Sequence, residues 1–406
     1  MSNPRAHRPP DSFRIVSGAL GPVPKCELSI KPMTVFIGRQ GTGKSLVAQT
    51  LFAFEELPFL MALVGGRRGG SRLTAQALFG EVLDQLRSSS RRFATFANKR
   101  VHIQWRRGKG FEGFGKMPEA LEFRAYRNNR QVVVGKATTK YLEGLRAKKP
   151  THNAVFFPTE RMMMSQLHTA VSQQVLSLPI TFTLFAQWLD QYAVVEAAGW
   201  SKNRPPTAEG RLVDELNAAA LGGAAGRLGD QWKWVMQDAA RSKLTFDLDM
   251  ASSGQRANWS IGFIGRTLFS LRGKGDVADE LTLYIEEPEI HLHPSAQREL
   301  VKMCALFVNS GMRVVITTHS LSVLYTLNNL LQAGLLDKTT SSSAVPDPRF
   351  RLAAKDVSVY AFTQDKAPRQ LVDEKRAFID ERELGSIGDE LSTELNHIAS
   401  LLPAES

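Results

Sequence analysis

The sequence predicts an α/β fold with a mixed sheet, into which a β-rich basic segment and a helical subdomain are inserted. A glycine-rich turn near residue 40 joins an apolar, strand-like run to a helical segment. From about residue 245 onward, short apolar runs alternate with stretches of helical period, which is the pattern of parallel strands joined by helices. Residues 93–134 change to polar–apolar alternation, which is typical of antiparallel strands.

The composition is that of a globular protein with room for two or three domains. The chain has 406 residues, of which 43% are hydrophobic and 22% charged, so a sizeable core is expected. Its longest unbroken apolar run, residues 57–64, is far shorter than the ~20 residues of a membrane span. The start of the chain has no apolar signal segment, and two cysteines exclude a disulfide framework. We therefore expect a cytoplasmic protein with no membrane partner.

Positive charge is concentrated in one part of the chain. Residues 67–149 contain 20 Lys and Arg against 6 Asp and Glu, a net charge of +14, whereas the whole chain carries +11. Such a block indicates a polyanionic partner, either nucleic acid or the acidic surface of another protein. A solvated arginine-rich surface is the alternative interpretation.

Residues 38–45, GRQGTGKS, match the G-x-x-x-x-G-K-[ST] pattern of a phosphate-binding loop between a strand and a helix. The backbone of such a loop curls so that successive N–H groups face phosphate oxygens, and the helix that follows adds its positive end. We expect Lys44 to reach the β- and γ-phosphates and the Ser45 hydroxyl to ligate Mg²⁺. The remaining loop residues expected at the nucleotide are Gly38, Gln40, Gly41, Thr42 and Gly43.

An acidic pair follows the apolar strand at residues 281–285. Glu286 comes at the end of this strand, where phosphates bind in parallel sheets, and it is expected to hold the Mg²⁺ shell. Glu287, one residue further on, points elsewhere and can polarise an attacking water molecule. An ordinary acidic turn after a core strand is the alternative for this segment on its own.

Two further segments gain meaning from their place in the chain. The first precedes a predicted helix and combines small side chains with a helix amino terminus, so that it can contact an anion; its residues are Ser252, Ser253, Gly254 and Gln255. The second is the apolar run at residues 314–318 with the residue that follows it, His319, which is a potential hydrogen-bond donor to a γ-phosphate. Taken alone, each segment would be interpreted as structural.

In this order, the four motifs resemble those of ABC-type ATPase heads, and most of all the RecF, SMC-like and OLD-family group. In that group the second acidic residue is followed by Pro-Glu-x-His-Leu-His-Pro, here residues 288–294. The resemblance covers residues 13–65 and 245–335. It implies a P-loop NTPase fold of the ABC-ATPase type, with ATP and Mg²⁺ as ligands.

The resemblance also implies roles for individual residues. The phosphate loop and Glu286 are implied to bind ATP and Mg²⁺, with Glu287 as the catalytic glutamate and His319 as the switch histidine. The segment 252–255 is implied to contact the γ-phosphate held by an opposite subunit. ATP would then join two heads, and hydrolysis would release them.

Some positions depart from the family pattern. Glu286 stands where many ABC proteins have Asp, and the longer side chain should still reach the metal. A Q-loop glutamine is not obvious, so its candidates stay open: Gln104, Glu160 and Arg161, the last two in a Pro-Thr-Glu-Arg segment. We interpret His291 and His293 as structural because no further ligand completes a zinc set.

We expect four segments along the chain: the start of the head with the phosphate loop (1–66), a basic β-rich part (67–160), a helical subdomain (161–244) and the end of the head with the other motifs (245–406). The sequence has neither the heptads of an SMC arm nor an Asp-x-Asp pair after His319. It therefore resembles the stand-alone ATPase subunits of phage-defence systems of the PARIS or Septu type.

This resemblance implies an ATPase that forms a homodimer or a higher homo-oligomer and holds a toxic effector protein encoded nearby. One alternative is a RecF-like ATPase in DNA repair that binds DNA through residues 67–149. Another is a nucleotide-dependent structural dimer with almost no turnover.

Overall fold

The computed structural model describes residues 10–57, 59–60, 101–106, 121–125, 132–134, 139–140, 153–165, 180–195, 207–228, 231–237, 242–271, 281–337, 339–340, 342–380, 393–394 and 397. Most of the basic segment 67–149 and parts of the expected helical subdomain 161–244 lie outside this part of the chain.

A six-stranded mixed sheet forms the centre of the protein. In spatial order its strands are β14 (Arg369–Gln370), β13 (Val357–Phe362), β3 (Met33–Gly38), β12 (Arg313–Thr318), β11 (Thr282–Glu286) and β7 (Ala154–Phe157). The strands from β13 to β7 run parallel, and β14 pairs antiparallel at one edge. Every residue of the five parallel strands is buried, because both faces of the sheet are covered.

A second, antiparallel sheet contains the strands of the basic segment that the structure describes. Its order is β2 (Cys26–Ile30), β1 (Asp11–Ser17), β4 (Val101–Arg106), β5 (Leu121–Ala125) and β6 (Val132–Val134). All four pairings are antiparallel. The polar–apolar alternation of residues 93–134 therefore predicted these strands correctly.

Helix α1 (Lys44–Glu55) lies between the two sheets. Its Phe54 contacts Trp105 of β4, and its Phe52 contacts Phe156 of β7. Ten of its twelve residues are buried, as expected for a helix that is covered on all sides. The phosphate loop at its amino terminus is thus held by both sheets.

The other face of the central sheet packs on helices. Alternate residues such as Val35, Ile285 and Ile316 enter a core on this side. This core is shared with α2 (Ile180–Val195), α3 (Ala208–Leu221), α4 (Ser253–Leu271), α5 (Pro294–Asn309) and α6 (Leu321–Ala333). Since side chains alternate along a strand, each parallel strand contributes to both cores.

A small antiparallel sheet packs beside α4. It has the order β10 (Lys243–Asp247), β9 (Gln231–Gln237) and β8 (Ala224–Leu228). Trp232 of β9 contacts Trp259 and Phe263 of α4. The prediction of mostly helical structure within residues 161–244 is therefore wrong for residues 224–228 and 231–237. The tryptophans at alternate positions 232 and 234 are the strand signal that was missed.

The remaining described elements are short. The strands β15 (Val372–Asp373) and β16 (Phe378–Ile379) form a two-stranded sheet, and 3-10 helices span Thr159–Ser165, Leu248–Met250, Pro348–Phe350 and Ala354–Asp356. Within the described ranges, no helix is both long enough and apolar enough to cross a bilayer.

Candidate functional site

The phosphate loop begins and ends at glycines whose conformation the fold requires. At Gly38, the last residue of β3, a Cβ atom would lie 2.1 Å from the carbonyl oxygen of Phe362. Gly43 is the N-cap of α1 with φ +96°, and a Cβ atom there would lie 2.4 Å from Val23. Both positions exclude any larger residue, so the loop follows the tight path that turns backbone N–H groups inward.

Lys44 is held inside this loop. Its ammonium donates to the carbonyl oxygens of Gly38 (2.6 Å) and Arg39 (2.8 Å), and it is 4% exposed. The Thr42 hydroxyl also donates to Arg39 O (2.8 Å), which closes the turn, whereas Gln40 is exposed. The loop therefore places one cation at the amino terminus of a helix, a combination that suits a phosphate group.

Glu286, at the carboxyl end of β11, is buried (2% exposed), and its carboxylate is held by two neighbouring segments. Its Oε1 accepts from Gln49 of α1 (3.1 Å), and its Oε2 accepts from the amide (3.3 Å) and hydroxyl (3.1 Å) of Thr159. Burial, and then the nearby charge of Glu160, raise the pKa of Glu286 to about 7, although hydrogen bonds from Thr159 and Ser45 oppose the shift.

The predicted metal ligands Ser45 and Glu286 therefore lie together, within hydrogen-bond reach of each other. A hydroxyl and a carboxylate are the hard oxygen donors that Mg²⁺ takes. A divalent cation beside them would favour the ionised form of the buried carboxylate. This donor set thus fits Mg²⁺.

Glu287 and His319 form a pair beside the loop. Glu287 has a positive φ of +44°, which is uncommon for a residue with a side chain. Its Oε1 lies 3.0 Å from Nε2 of His319, whose Nδ1 lies 3.5 Å from Nζ of Lys44. A proton on Nε2 and a lone pair on Nδ1 satisfy both neighbours of the imidazole. Three predicted site residues are therefore linked in a row.

Glu289 fixes the turn that carries His319. Its Oε1 accepts from the Thr318 hydroxyl (2.6 Å) and from the backbone amide of His319 (2.6 Å). His293 caps α5 by accepting from the amide of Ser295 (3.3 Å). Among the residues that the structure describes, no group of three or more His, Cys, Asp or Glu side chains could hold a metal ion. The cap of α5 gives His293 a structural role.

The segment 252–255 begins α4 with a reciprocal cap. Oε1 of Gln255 accepts from the amide of Ser252 (2.9 Å), and the Ser252 hydroxyl accepts from the amide of Gln255 (3.3 Å). The Gln255 amide group also donates to Leu221 O (2.7 Å). At Gly254 a Cβ atom would lie 2.6 Å from His291 O. Ser252 and Ser253 are exposed, so this segment presents two hydroxyl-bearing residues on a fixed helix start.

The Q-loop candidates fall in different places. Gln104 lies in β4, where its Cα pairs with Arg14 and Glu122. Glu160 and Arg161 lie in the 3-10 helix after β7, beside the end of β11. Both adjoin Glu286, Glu160 through its charge and Arg161 through a hydrogen bond to the Glu286 carbonyl oxygen.

Sequence reasoning missed several residues of this site. Gln49 and Thr159 both bind Glu286, and Asn258 joins α4 to the turn after β11 through Ile290 O (3.0 Å). Gln49 could have been found, because it lies one helical turn after Ser45 on the same face of α1. Thr159 and Asn258 carry no comparable signal in the sequence.

Comparisons with known proteins bear on the second half of the chain. Residues 212–324 match the family model described as AAA ATPase domain, a segment that contains Ser252–Gln255, the acidic pair and His319. A comparison with curated proteins finds no match.

Similar solved structures include three SMC heads, each 11% identical to this chain. They are an SmcHead bound to the C-winged helix domain of ScpA (TM-score 0.41, 91% of this chain and 99% of that one), an Smc head domain bound to the C-terminal domain of ScpA derived from Pyrococcus furiosus (0.41, 94% and 98%), and the SMC head domain from Thermotoga maritima (0.39, 90% and 100%). The strand order and the phosphate loop themselves define an α/β fold of the P-loop ATPase type. The family match and the site geometry together support an ATPase of the AAA class.

Proposed function

We propose that this protein binds ATP with Mg²⁺ and hydrolyses it to ADP and phosphate. The observation that carries this proposal is the meeting of two predicted pairs at one edge of the sheet. Ser45 and Glu286 supply oxygen donors for a metal, and Glu287 and His319 adjoin Lys44 of the phosphate loop. This is the arrangement that in-line attack of water on a γ-phosphate requires.

Each side chain has a distinct task in this reaction. The phosphate loop binds the β- and γ-phosphates through backbone N–H groups and Lys44. Ser45 and Glu286 would hold Mg²⁺, which would neutralise charge on the phosphates. The Glu287 carboxylate orients a water molecule and accepts its proton, and His319 keeps that carboxylate in place at 3.0 Å.

The test is phosphate release from ATP with Mg²⁺. We expect Lys44→Ala to lose nucleotide binding, and Glu287→Gln to bind ATP yet lower kcat by about a hundredfold or more, within the range of general-base loss. Glu299→Gln is the matched control, since Glu299 pairs with Lys302 on the surface of α5. Equal turnover in wild type and Glu287→Gln would overturn the catalytic role of Glu287.

We further propose that ATP joins two copies of the chain. Ser252, Ser253 and Gly254 of one copy would complete the phosphate site of the other, while Gln255 holds that segment by capping α4. The exposure of both serines at a rigid helix start supports this arrangement. Light scattering of Glu287→Gln with ATP and Mg²⁺ should then give twice the mass found with ADP, or a higher multiple.

The dimer is proposed to control a partner as the sensor or scaffold subunit of an anti-phage system that holds a toxic effector. The alternative is a RecF-like ATPase that binds DNA, which the charge of +14 over residues 67–149 favours. Duplex DNA discriminates between the two roles. Under the alternative, DNA raises ATP turnover and its binding weakens steeply with salt; under the first, DNA alone leaves turnover unchanged.

A further inference from the structure

Arg161 is a buried arginine whose five N–H donors are all used. It is 1% exposed. Its Nε donates to Ala257 O (2.6 Å), Nη1 donates to Pro158 O (3.0 Å) and Glu286 O (2.5 Å), and Nη2 donates to Asn258 Oδ1 (2.9 Å) and Glu287 O (2.8 Å). Four of these acceptors are backbone carbonyls, so the hydrogen bonds of Arg161 depend on the positions of the backbone segments that carry them.

These hydrogen bonds join three segments that are distant in sequence. Pro158 follows β7, Glu286 and Glu287 end β11, and Ala257 and Asn258 lie in the first turns of α4. One planar guanidinium therefore fixes the start of α4 against the end of the strand that carries both acidic residues.

Asn258 extends the same connection. Its amide group donates to Gly254 O (3.2 Å) and to Ile290 O (3.0 Å), and the side chain is fully buried. Gly254 belongs to the segment 252–255, and Ile290 belongs to the turn that follows Glu287. A displacement of that segment is thus transmitted to the acidic turn through Asn258 and Arg161.

Burying a guanidinium is costly, because it removes the charge from water. All five of its N–H groups are therefore hydrogen-bonded here. A structural crosslink between the same three segments could be made by apolar contacts at lower cost.

Glu287 is the residue that most needs support. Its φ of +44° is a strained conformation for a residue with a side chain, and it persists only where the surroundings enforce it. Three hydrogen bonds to its backbone do so: its amide donates to Thr317 O (2.8 Å), and its carbonyl accepts from the Ile290 amide (3.1 Å) and from Arg161 Nη2 (2.8 Å). Loss of the Arg161 bond would leave Ile290 as the remaining donor to this carbonyl, so the peptide would be held less firmly and the carboxylate could shift away from His319.

We propose that Arg161, with Asn258, is a positioning residue that keeps the Glu287 carboxylate at its place of action and couples that place to the start of α4. This role rests on the proposed ATPase function. It predicts that Arg161 affects the rate of hydrolysis and leaves nucleotide binding almost unchanged, because all five N–H donors of Arg161 bind acceptors outside the phosphate loop, residues 38–45.

The experiment is a comparison of Arg161→Lys with Arg313→Lys in the full chain. Both replace a buried arginine by a shorter cation. Arg313 is the first residue of β12, so it lies at the end of the strands opposite to the acidic turn. We expect Arg161→Lys to lower kcat by about a hundredfold with KM for ATP within about threefold, as for a misplaced catalytic group. Arg313→Lys should lower thermal stability but keep kcat.

A second pair covers the case in which Arg161→Lys does not fold. Asn258→Ala removes the side-chain link to Arg161, and Asn217→Ala is its control. Asn217 is also buried, and it packs against Gly262 of α4 away from the acidic turn. We expect a fall in kcat, with KM retained, for Asn258→Ala alone.

The outcomes separate this proposal from the function on which it rests. Wild-type protein without ATP turnover would overturn both. Wild-type turnover that Asn258→Ala retains, or a fall in kcat that Asn217→Ala shares, would overturn only the positioning role. A fall in kcat confined to Arg161 and Asn258, with fluorescent ATP bound as in wild type, would support it.

Discussion

Three glutamates within four residues have different tasks because their surroundings differ. Glu286 ends a buried strand and faces Ser45, so its environment suits a metal ligand. Glu287 leaves the strand with φ +44° and turns its carboxylate to His319. Glu289 folds back onto the amide of that histidine. Backbone direction alone therefore gives these identical side chains different surroundings, which suit the proposed metal ligand, the proposed general base and the support of a loop.

Two glycines of the phosphate loop should respond differently to a methyl group. A Cβ atom at Gly38 would lie 2.1 Å from Phe362 O, whereas at Gly41 nothing lies within 4 Å and only the φ of +79° opposes a side chain. We expect Gly41→Ala to cost about 1–2 kcal/mol of unfolding free energy. Gly38→Ala should cost more, because β3 and β13 must separate. Urea denaturation measures both.

The control for this pair is Gly226→Ala. Gly226 has no neighbour within 4 Å of a built Cβ atom and its φ is not positive, so no loss of stability is expected. If Gly38→Ala and Gly41→Ala were equally stable, the close approach of β3 and β13 at this point would be refuted.

At the scale of elements, the sequence predicted the parallel strands well because they are buried on both faces. Their sequences are mostly apolar, and the strand predicted at residues 281–285 is observed at Thr282–Glu286. The β8–β9 hairpin was missed because its β8 strand, AAGRL, is rich in small residues that also suit helices. The loop, the acidic pair and His319 were predicted to share a site, and in the structure His319 lies within 3.5 Å of both Lys44 and Glu287.

What the sequence could not predict are contacts made by residues without a motif. Arg161 was a candidate for a Q-loop role, yet its five acceptors come from segments up to 126 residues away. Such carbonyl acceptors belong to the backbone and are present at every residue, so no residue type in the sequence predicts them. Only the fold brings these segments together.

A buried charge cluster joins the two sheets near the amino-terminal end of β12, whereas the site lies at the carboxyl ends of the parallel strands. Arg313 of β12 donates to carboxylates of Asp11 in β1 and Glu55 in α1, and all three are nearly inaccessible. Burial alone would lower the pKa of Arg313, but the two carboxylates more than offset it and raise the pKa. The antiparallel sheet is thus tied to the central sheet by charge.

Removing members of this cluster should have unequal effects. Arg313→Met leaves two buried carboxylates without their cation and should cost about 3–5 kcal/mol of unfolding free energy. Asp11→Asn leaves Glu55 to pair with Arg313 and should cost less. Chemical denaturation gives both values. Equal losses would show that Glu55 does not compensate, which contradicts the shared pairing described here.

At the scale of the whole molecule, the segment 252–255 would act on another copy in the proposed dimer. Its backbone is bound to the acidic turn of its own chain through Asn258 and Gly254, while Ser252 and Ser253 remain exposed. A contact with a second phosphate site would therefore be felt at Glu287 of the same chain. Each copy would sense the nucleotide state of the other.

Met250 provides a test of this arrangement. It is 73% exposed and lies two residues before Ser252, so ATP-dependent association should bury it. In the Glu287→Gln background, Met250→Glu should prevent the mass increase on adding ATP and Mg²⁺ in light scattering, because a buried unpaired carboxylate is costly. Affinity of the monomer for fluorescent ATP should stay within about twofold, since the phosphate loop is untouched.

The control is Leu335→Glu, at a similarly exposed apolar residue (66%) after α6. Association that survives Met250→Glu, or that Leu335→Glu abolishes equally, would show that the two copies meet elsewhere.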